Sequence, residues 1–155
     1  MACSQRTDER HTVANKYTEL FYHFVWAAKK REHLISLELE PHLFRYIRHK
    51  CRELKVIVHA LNGMPDHLHL ACSLPPTLSI SDFMETIKGS SAHFVNHMDG
   101  KPYCLYWQTG YGALTFSKRD LPKVIEYICN QKQHHASGTL FAKMEPSSAS
   151  PEGGS

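Results

Sequence analysis

The chain has 155 residues, of which 42% are hydrophobic and 21% charged, enough apolar material for one folded core and too little length for two ordinary enzyme domains. That balance excludes a mostly disordered chain, and no apolar run approaches the roughly 20 residues of a membrane-spanning helix. The formal net charge is only +3, but residues 29–55 carry eight bases against four acids, 56–100 one base against four acids, and 118–132 four bases against two acids. Local basic patches of this kind suit a polyanionic partner. Five cysteines (Cys3, Cys51, Cys72, Cys104, Cys129) form an odd, scattered set without a C-x-x-C pair. That argues against a disulfide scaffold or a cysteine-rich zinc site and for a reducing, cytoplasmic setting.

Residues 1–16 read as a polar lead-in without a signal-peptide core. Residues 17–28, YTELFYHFVWAA, are rich in aromatic and β-branched residues and predict a strand. Pro41 opens a helical pattern with Leu43, Phe44, Ile47, Cys51 and Leu54 on one face and Arg45, Arg48 and Arg52 on another. KVIVHALNG predicts a second strand ending in an Asn62-Gly63 turn, and HLHLACSL, over 67–74, a third strand closed by Pro75-Pro76. Ser79 and Asp82 can form a capping box for a helix whose apolar stripe runs Ile80, Phe83, Met84, Ile87, Phe94, Val95 and Met98, with Gly89 as a weak point.

A short strand is expected over 113–116, then a helix from about Asp120 to His135 with Pro122 in its first turn. The last residues, 141–155, are Pro/Ser/Gly-rich and read as a disordered tail beyond a domain of 17–140. The order β, α, β, β, α, β, α predicts a ferredoxin-like α+β sandwich, an antiparallel sheet packed with helices.

His67 and His69 bracket Leu68 in a strand, so both imidazoles share one face while Leu68 and Leu70 take the other. Such a pair can hold a divalent cation from one side, although a lone H-x-H can equally be two structural histidines. In the last helix the core stripe is Leu121, Val124, Ile125 and Ile128. Tyr127 and Gln131 lie four residues apart, about 40° around the axis, beside that stripe. These flanking positions are expected to reach the rim of a neighbouring sheet, where the histidine pair would lie.

The segments MPDHLHL, IKGSSA, WQTGYGA and YICNQKQHH occur in this order. Together they resemble the single-tyrosine HUH transposases of the insertion sequence 200/605 type, including the REP-associated tyrosine transposases. The resemblance spans roughly residues 17–135 and implies an HUH-endonuclease fold. It also implies a metal-dependent nuclease and strand transferase acting on single-stranded DNA, which recognises hairpin ends and works through a 5′-phosphotyrosine intermediate. On that reading Tyr127 matches the nucleophile and His67, His69 and Gln131 the metal ligands. Two histidines and an amide would by ligand preference suit zinc, whereas phosphoryl transfer and the resemblance favour Mg²⁺ or Mn²⁺. The resemblance further implies a homodimer and a prokaryotic, nucleoid-associated setting.

Other residues carry two readings each. Asp66 can tune His67 or simply end the turn after Pro65, and His134 can reach the metal shell or DNA or lie on the surface. Arg45, Arg48, Arg52, Lys88, Lys29 and Arg31 are expected to supply phosphate contacts if the site processes DNA. Tyr106 and Tyr111 can stack on unpaired bases or fill core, and Trp107 is expected in the core. The alternative function is a domesticated palindrome- or hairpin-binding protein with a regulatory or housekeeping role.

Overall fold

A computed structural model describes residues 11–13 and 16–133. Two short strands, β1 (His11–Val13) and β2 (Lys16–Thr18), pair antiparallel ahead of the main sheet. Then follow β3 (Phe21–Ala27), α1 (Glu40–Glu53), β4 (Ile57–Met64), β5 (His67–Ser73), α2 (Ile80–Asn96), β6 (Gly112–Phe116) and α3 (Leu121–Cys129), with 3₁₀ turns at Lys29–Arg31 and Lys118–Asp120. The strand expected over 17–28 is therefore two strands interrupted at Glu19 and Leu20, and part of the expected lead-in pairs as antiparallel strand. The proposed tail over 141–155 lies outside the described residues.

Strands β3 to β6 form one antiparallel sheet in the order β4-β5-β3-β6. With α1 and α2 inserted after β3 and β5, this is the ferredoxin-like βαββαβ arrangement. Because side chains alternate along each strand, the register sorts them onto two faces. Phe24, Trp26, Leu61, Leu68, Leu70 and Cys72 join Leu43, Ile47 and Cys51 of α1 and Phe83, Met84, Ile87 and Val95 of α2 in the main core. On the other face Ala60 and Ala71 meet Val124, Tyr127 and Ile128 of α3 in a much smaller cluster. At about 1.5–3 kcal/mol per large buried side chain, the first cluster holds the sheet together and the second holds only α3.

The expected turn at Asn62-Gly63 is not where the chain reverses. β4 continues to Met64, and the turn is Pro65-Asp66. Gly63 answers a different need: a Cβ there would lie 2.3 Å from the His67 carbonyl oxygen and 2.6 Å from Leu68 Cδ2. The Ser79 hydroxyl accepts from the Asp82 amide at 3.1 Å, as a cap of α2 should. Trp107 is half-buried against Trp26, and its Nε1 donates to the Ser91 hydroxyl at 2.9 Å.

Candidate active site

The histidine pair stands on β5, an inner strand of the sheet, with His67 opposite Ala27 and Met64 and His69 opposite Val25 and Asn62. Their rings meet edge to face with centroids 5.1 Å apart. α3 crosses this face, so the tyrosine is not at the sheet's rim as its flanking position suggested: the Tyr127 ring lies edge-on to His69 at 5.8 Å. Relative exposure is 4% for Tyr127, 1% for His67, and 0% for His69 and Gln131. Gln131 follows the end of α3, where the chain turns at Asn130 before helical backbone resumes over 131–133.

Each imidazole is held through Nδ1 by a separate neighbour. His67 Nδ1–H donates to Asp66 Oδ1 at 2.7 Å, and the other Asp66 oxygen accepts from Arg31 Nε at 2.9 Å. His69 Nδ1 lies 3.0 Å from Nε2 of His23, a residue of β3 that is itself 1% exposed. With Nδ1 occupied, Nε2 is the nitrogen each ring can present to a ligand. Nε2 of His67, Nε2 of His69 and Oε1 of Gln131 are buried atoms that take no part in the hydrogen bonds described above. Imidazole nitrogen and amide oxygen are both ligand types that a divalent cation accepts. Among the described residues no group of three or more His, Cys, Asp or Glu gathers as a metal cluster.

The Arg31 contact depends on an unusual loop. Lys30 and Arg31 have φ of 56° and 57°, a left-handed conformation that costs a non-glycine residue about 1–2 kcal/mol. Neighbouring contacts hold the segment in place. The Ala28 amide donates to the Asp66 carbonyl at 2.7 Å, the Lys29 amide to the Tyr106 carbonyl at 2.8 Å, and the Lys30 amide to Gln108 Oε1 at 3.1 Å. Exposed Lys29 and Arg31 thereby sit at the end of β3 beside His67.

The other basic residues fall elsewhere. Arg45, Arg48 and Arg52 are exposed on α1, across the sheet from the histidines. Lys88 Nζ donates to the carbonyls of Gln108 and Gly110 at 2.7 Å each, and partial burial lowers its pKa. It braces the segment ahead of β6. An open pocket of about 380 Å³ beside α2, lined in part by Met84, Lys88, Gly89 and Tyr111, is also on the α1/α2 side. His134 lies outside the described residues.

Two residues of the site have no counterpart in the sequence reading. Asn62 looked like a turn residue, yet its Nδ2 donates to the carbonyls of Ile128 and Cys129 at 3.0 Å each, capping the end of α3. His23 was a lone imidazole in an apolar strand, and only the β3–β5 register brings it beside His69.

A ferredoxin-like sheet with two helices on one face and a tyrosine-bearing helix over an H-x-H strand on the other defines an HUH-type α+β nuclease fold. The chain belongs to the family described as "Transposase IS200 like", whose model matches residues 16–131. It is 30% identical over 118 residues to the ISDra2 transposase TnpA of Deinococcus radiodurans, covering 73% of this chain and 84% of that protein. It is 27% identical over 132 residues to the transposase for insertion sequence element IS200 of Salmonella typhimurium, covering 82% of this chain and 86% of that protein.

Among solved structures, a Deinococcus radiodurans protein described as a transposase superposes with a TM-score of 0.57 at 28% identity, covering 77% of this chain and 97% of that one. A REP-associated tyrosine transposase bound to a REP hairpin shares the fold, with a TM-score of 0.59 at 17% identity over 80% of this chain and 74% of that one. Family membership assigns the chain to DNA transposition, the cutting and joining of DNA strands. No helix among the described residues is long and apolar enough to cross a membrane.

Proposed function

We propose that Tyr127 is the nucleophile of this strand transfer, and that His67, His69 and Gln131 hold a divalent cation, Mg²⁺ or Mn²⁺. The substrate is single-stranded DNA with hairpin ends, and the working form is a homodimer. The observation that carries the reading is the burial of Tyr127 edge-on against His69, on the one sheet face where both imidazoles direct Nε2 away from their anchors. The hairpin finds support in a fold relative solved with a REP hairpin.

In the reaction, Tyr127 Oη attacks the scissile phosphorus, the bond from phosphorus to the 3′ oxygen breaks, and that oxygen leaves as a 3′-hydroxyl. The 5′-phosphate stays on Tyr127 as an ester until another 3′-hydroxyl attacks it, joining the strands and returning the phenol. When bound, the cation withdraws charge from the phosphate oxygens and stabilises the pentavalent transition state. Lys29 and Arg31, in the turn that follows the β3 residue paired with His67, would meet phosphates next to the cut. As the phenol attacks it gives up one proton and the departing 3′ oxygen takes one up, so the transfer is balanced without net proton release.

The test is incubation with labelled single-stranded DNA carrying the ends of its own element, with Mg²⁺, Mn²⁺ or EDTA, followed by a denaturing protein gel. A metal-dependent covalent protein–DNA band, absent from Tyr127→Phe, is expected. A band that survives in Tyr127→Phe removes the nucleophile assignment. Tight binding without a band under any metal establishes the hairpin-binding alternative instead.

A further inference from the structure

We infer that His23 is a positioning residue for the proposed strand-transfer site: its Nε2 accepts the Nδ1 proton of His69 and so fixes His69 in the tautomer that offers Nε2 to the cation. The inference rests on the metal reading above and adds to it a residue on another strand.

The geometry has three parts. His23 faces the same side of the sheet as His69, because β3 and β5 pair with His23 opposite Ala71 and Val25 opposite His69. The two rings are nearly parallel, with centroids 5.2 Å apart at 27°, and the nitrogens that meet are Nε2 of His23 and Nδ1 of His69, 3.0 Å apart. Both side chains are almost fully buried, so water does not compete for the contact and the pair lies at the buried end of the hydrogen-bond energy range. Of two neutral imidazoles sharing one hydrogen bond, one donates and the other accepts. If His69 Nε2 is the ligand nitrogen, His69 Nδ1 is the donor and His23 Nε2 the acceptor.

His23 thus serves His69 as Asp66 serves His67. The two anchors differ in chemistry: a carboxylate backed by Arg31 for one ligand, an imidazole nitrogen for the other. His23 also lies 6.3 Å from the Tyr127 ring, edge-on, so it fixes the ligand against which the tyrosine packs. Its place in the sheet interior gives the acceptor a rigid mount, which a loop residue would not have.

The experiment compares wild type, His23→Phe, His23→Gln and His67→Ala. Mn²⁺ affinity without DNA is read by electron paramagnetic resonance, and covalent adduct formation separately. Phenylalanine keeps the ring volume and removes the acceptor; glutamine places an oxygen near the position of Nε2. Mn²⁺ binding should weaken about 10–100-fold in His23→Phe, the usual effect of losing such an outer partner, and His23→Gln should recover most of it. Wild-type affinity in His23→Phe, with binding lost in His67→Ala, overturns the His23 role and leaves the metal site standing. Equal losses in His23→Phe and His23→Gln, both folded, assign the effect to packing and also overturn it.

If wild type and His67→Ala bind Mn²⁺ alike, the metal reading itself fails. A variant-free measurement guards against misfolding: ¹⁵N spectra of the metal-free wild type should place the His69 proton on Nδ1. A proton on Nε2 overturns the proposal.

Discussion

The side-chain amide of Asn62 reaches across from β4 to the carbonyl of Ile128, 3.0 Å away, and with its second hydrogen to that of Cys129. Both carbonyls belong to the last turn of α3, where backbone acceptors lack helical partners, so Asn62 ends the helix that carries Tyr127. The Lys132–Glu40 ion pair at 2.6 Å fastens the same end to α1. These polar contacts add to the small apolar cluster that docks α3 on the sheet. Asn62→Ala should cost about 1–3 kcal/mol, the sum of two ordinary hydrogen bonds, and hydrogen exchange should speed up over residues 121–129 before it does in β5. Unchanged exchange there would show that apolar contacts alone hold the helix.

Gly63 makes the opposite kind of prediction. A Cβ at 2.3 Å from a backbone oxygen meets an atom that cannot swing aside as a side-chain end can, and that oxygen belongs to His67. Gly63→Ala should push β4 from β5, destabilise the fold by about 2–4 kcal/mol and weaken metal binding through His67. Gly89→Ala is the matched control: nothing lies within 4 Å of its Cβ, and the site is inside α2. It should stabilise by about 0.5–1 kcal/mol. Urea unfolding of the two variants reads both signs.

How far such features could be read beforehand depends on their range. The alternation of His67, Leu68, His69 and Leu70 is local, and it placed imidazoles and leucines on opposite faces, where the structure has them. The helical stripes of α1 and α2 were equally legible, because 3.6-residue periodicity needs no knowledge of the partner. Asn62 and His23 were not legible. Each acts on a residue 66 or 46 positions away, through a strand order that several topologies could satisfy. Asn-Gly is the strongest short hairpin signal, and it misled because the close approach of Leu68 and the capping of α3 demand the same two residues mid-strand. The bracing role of Lys88 is equally non-local, since the Gln108 and Gly110 carbonyls lie 20 and 22 positions away.

Asp66 divides its carboxylate between His67 and Arg31. Removing it takes this anchor from the His67 ring and leaves Arg31, in its left-handed loop, without this ion partner. Asp66→Ala should therefore reduce Mn²⁺ affinity about 10–100-fold. Arg31→Gln, which keeps the carboxylate on His67, should reduce it less while lowering DNA affinity. Equal metal affinity in Asp66→Ala and wild type would mean that strand packing alone orients His67.

The buried thiols predict a loss of stability at alkaline pH. Burial raises Cys51 from an ordinary 9.0 to about 12, against the opposing pull of the Arg48 charge, and burial first and then Cys51 raise Cys72 well above its ordinary value. The reactive species is the thiolate, so at pH 8 about one Cys51 in ten thousand is reactive. Iodoacetamide at that pH should modify exposed Cys104 well ahead of Cys51 and Cys72, as peptide mapping would show. A thiol whose pKa is raised on folding stabilises the native state fully below its unfolded value, and that contribution is lost as pH climbs through the folded one. Stability measured in urea should accordingly decline between about pH 9 and 12, and Cys51→Ala, less stable at pH 8, should show a shallower decline. A parallel decline in Cys51→Ala would place the alkaline loss on other groups.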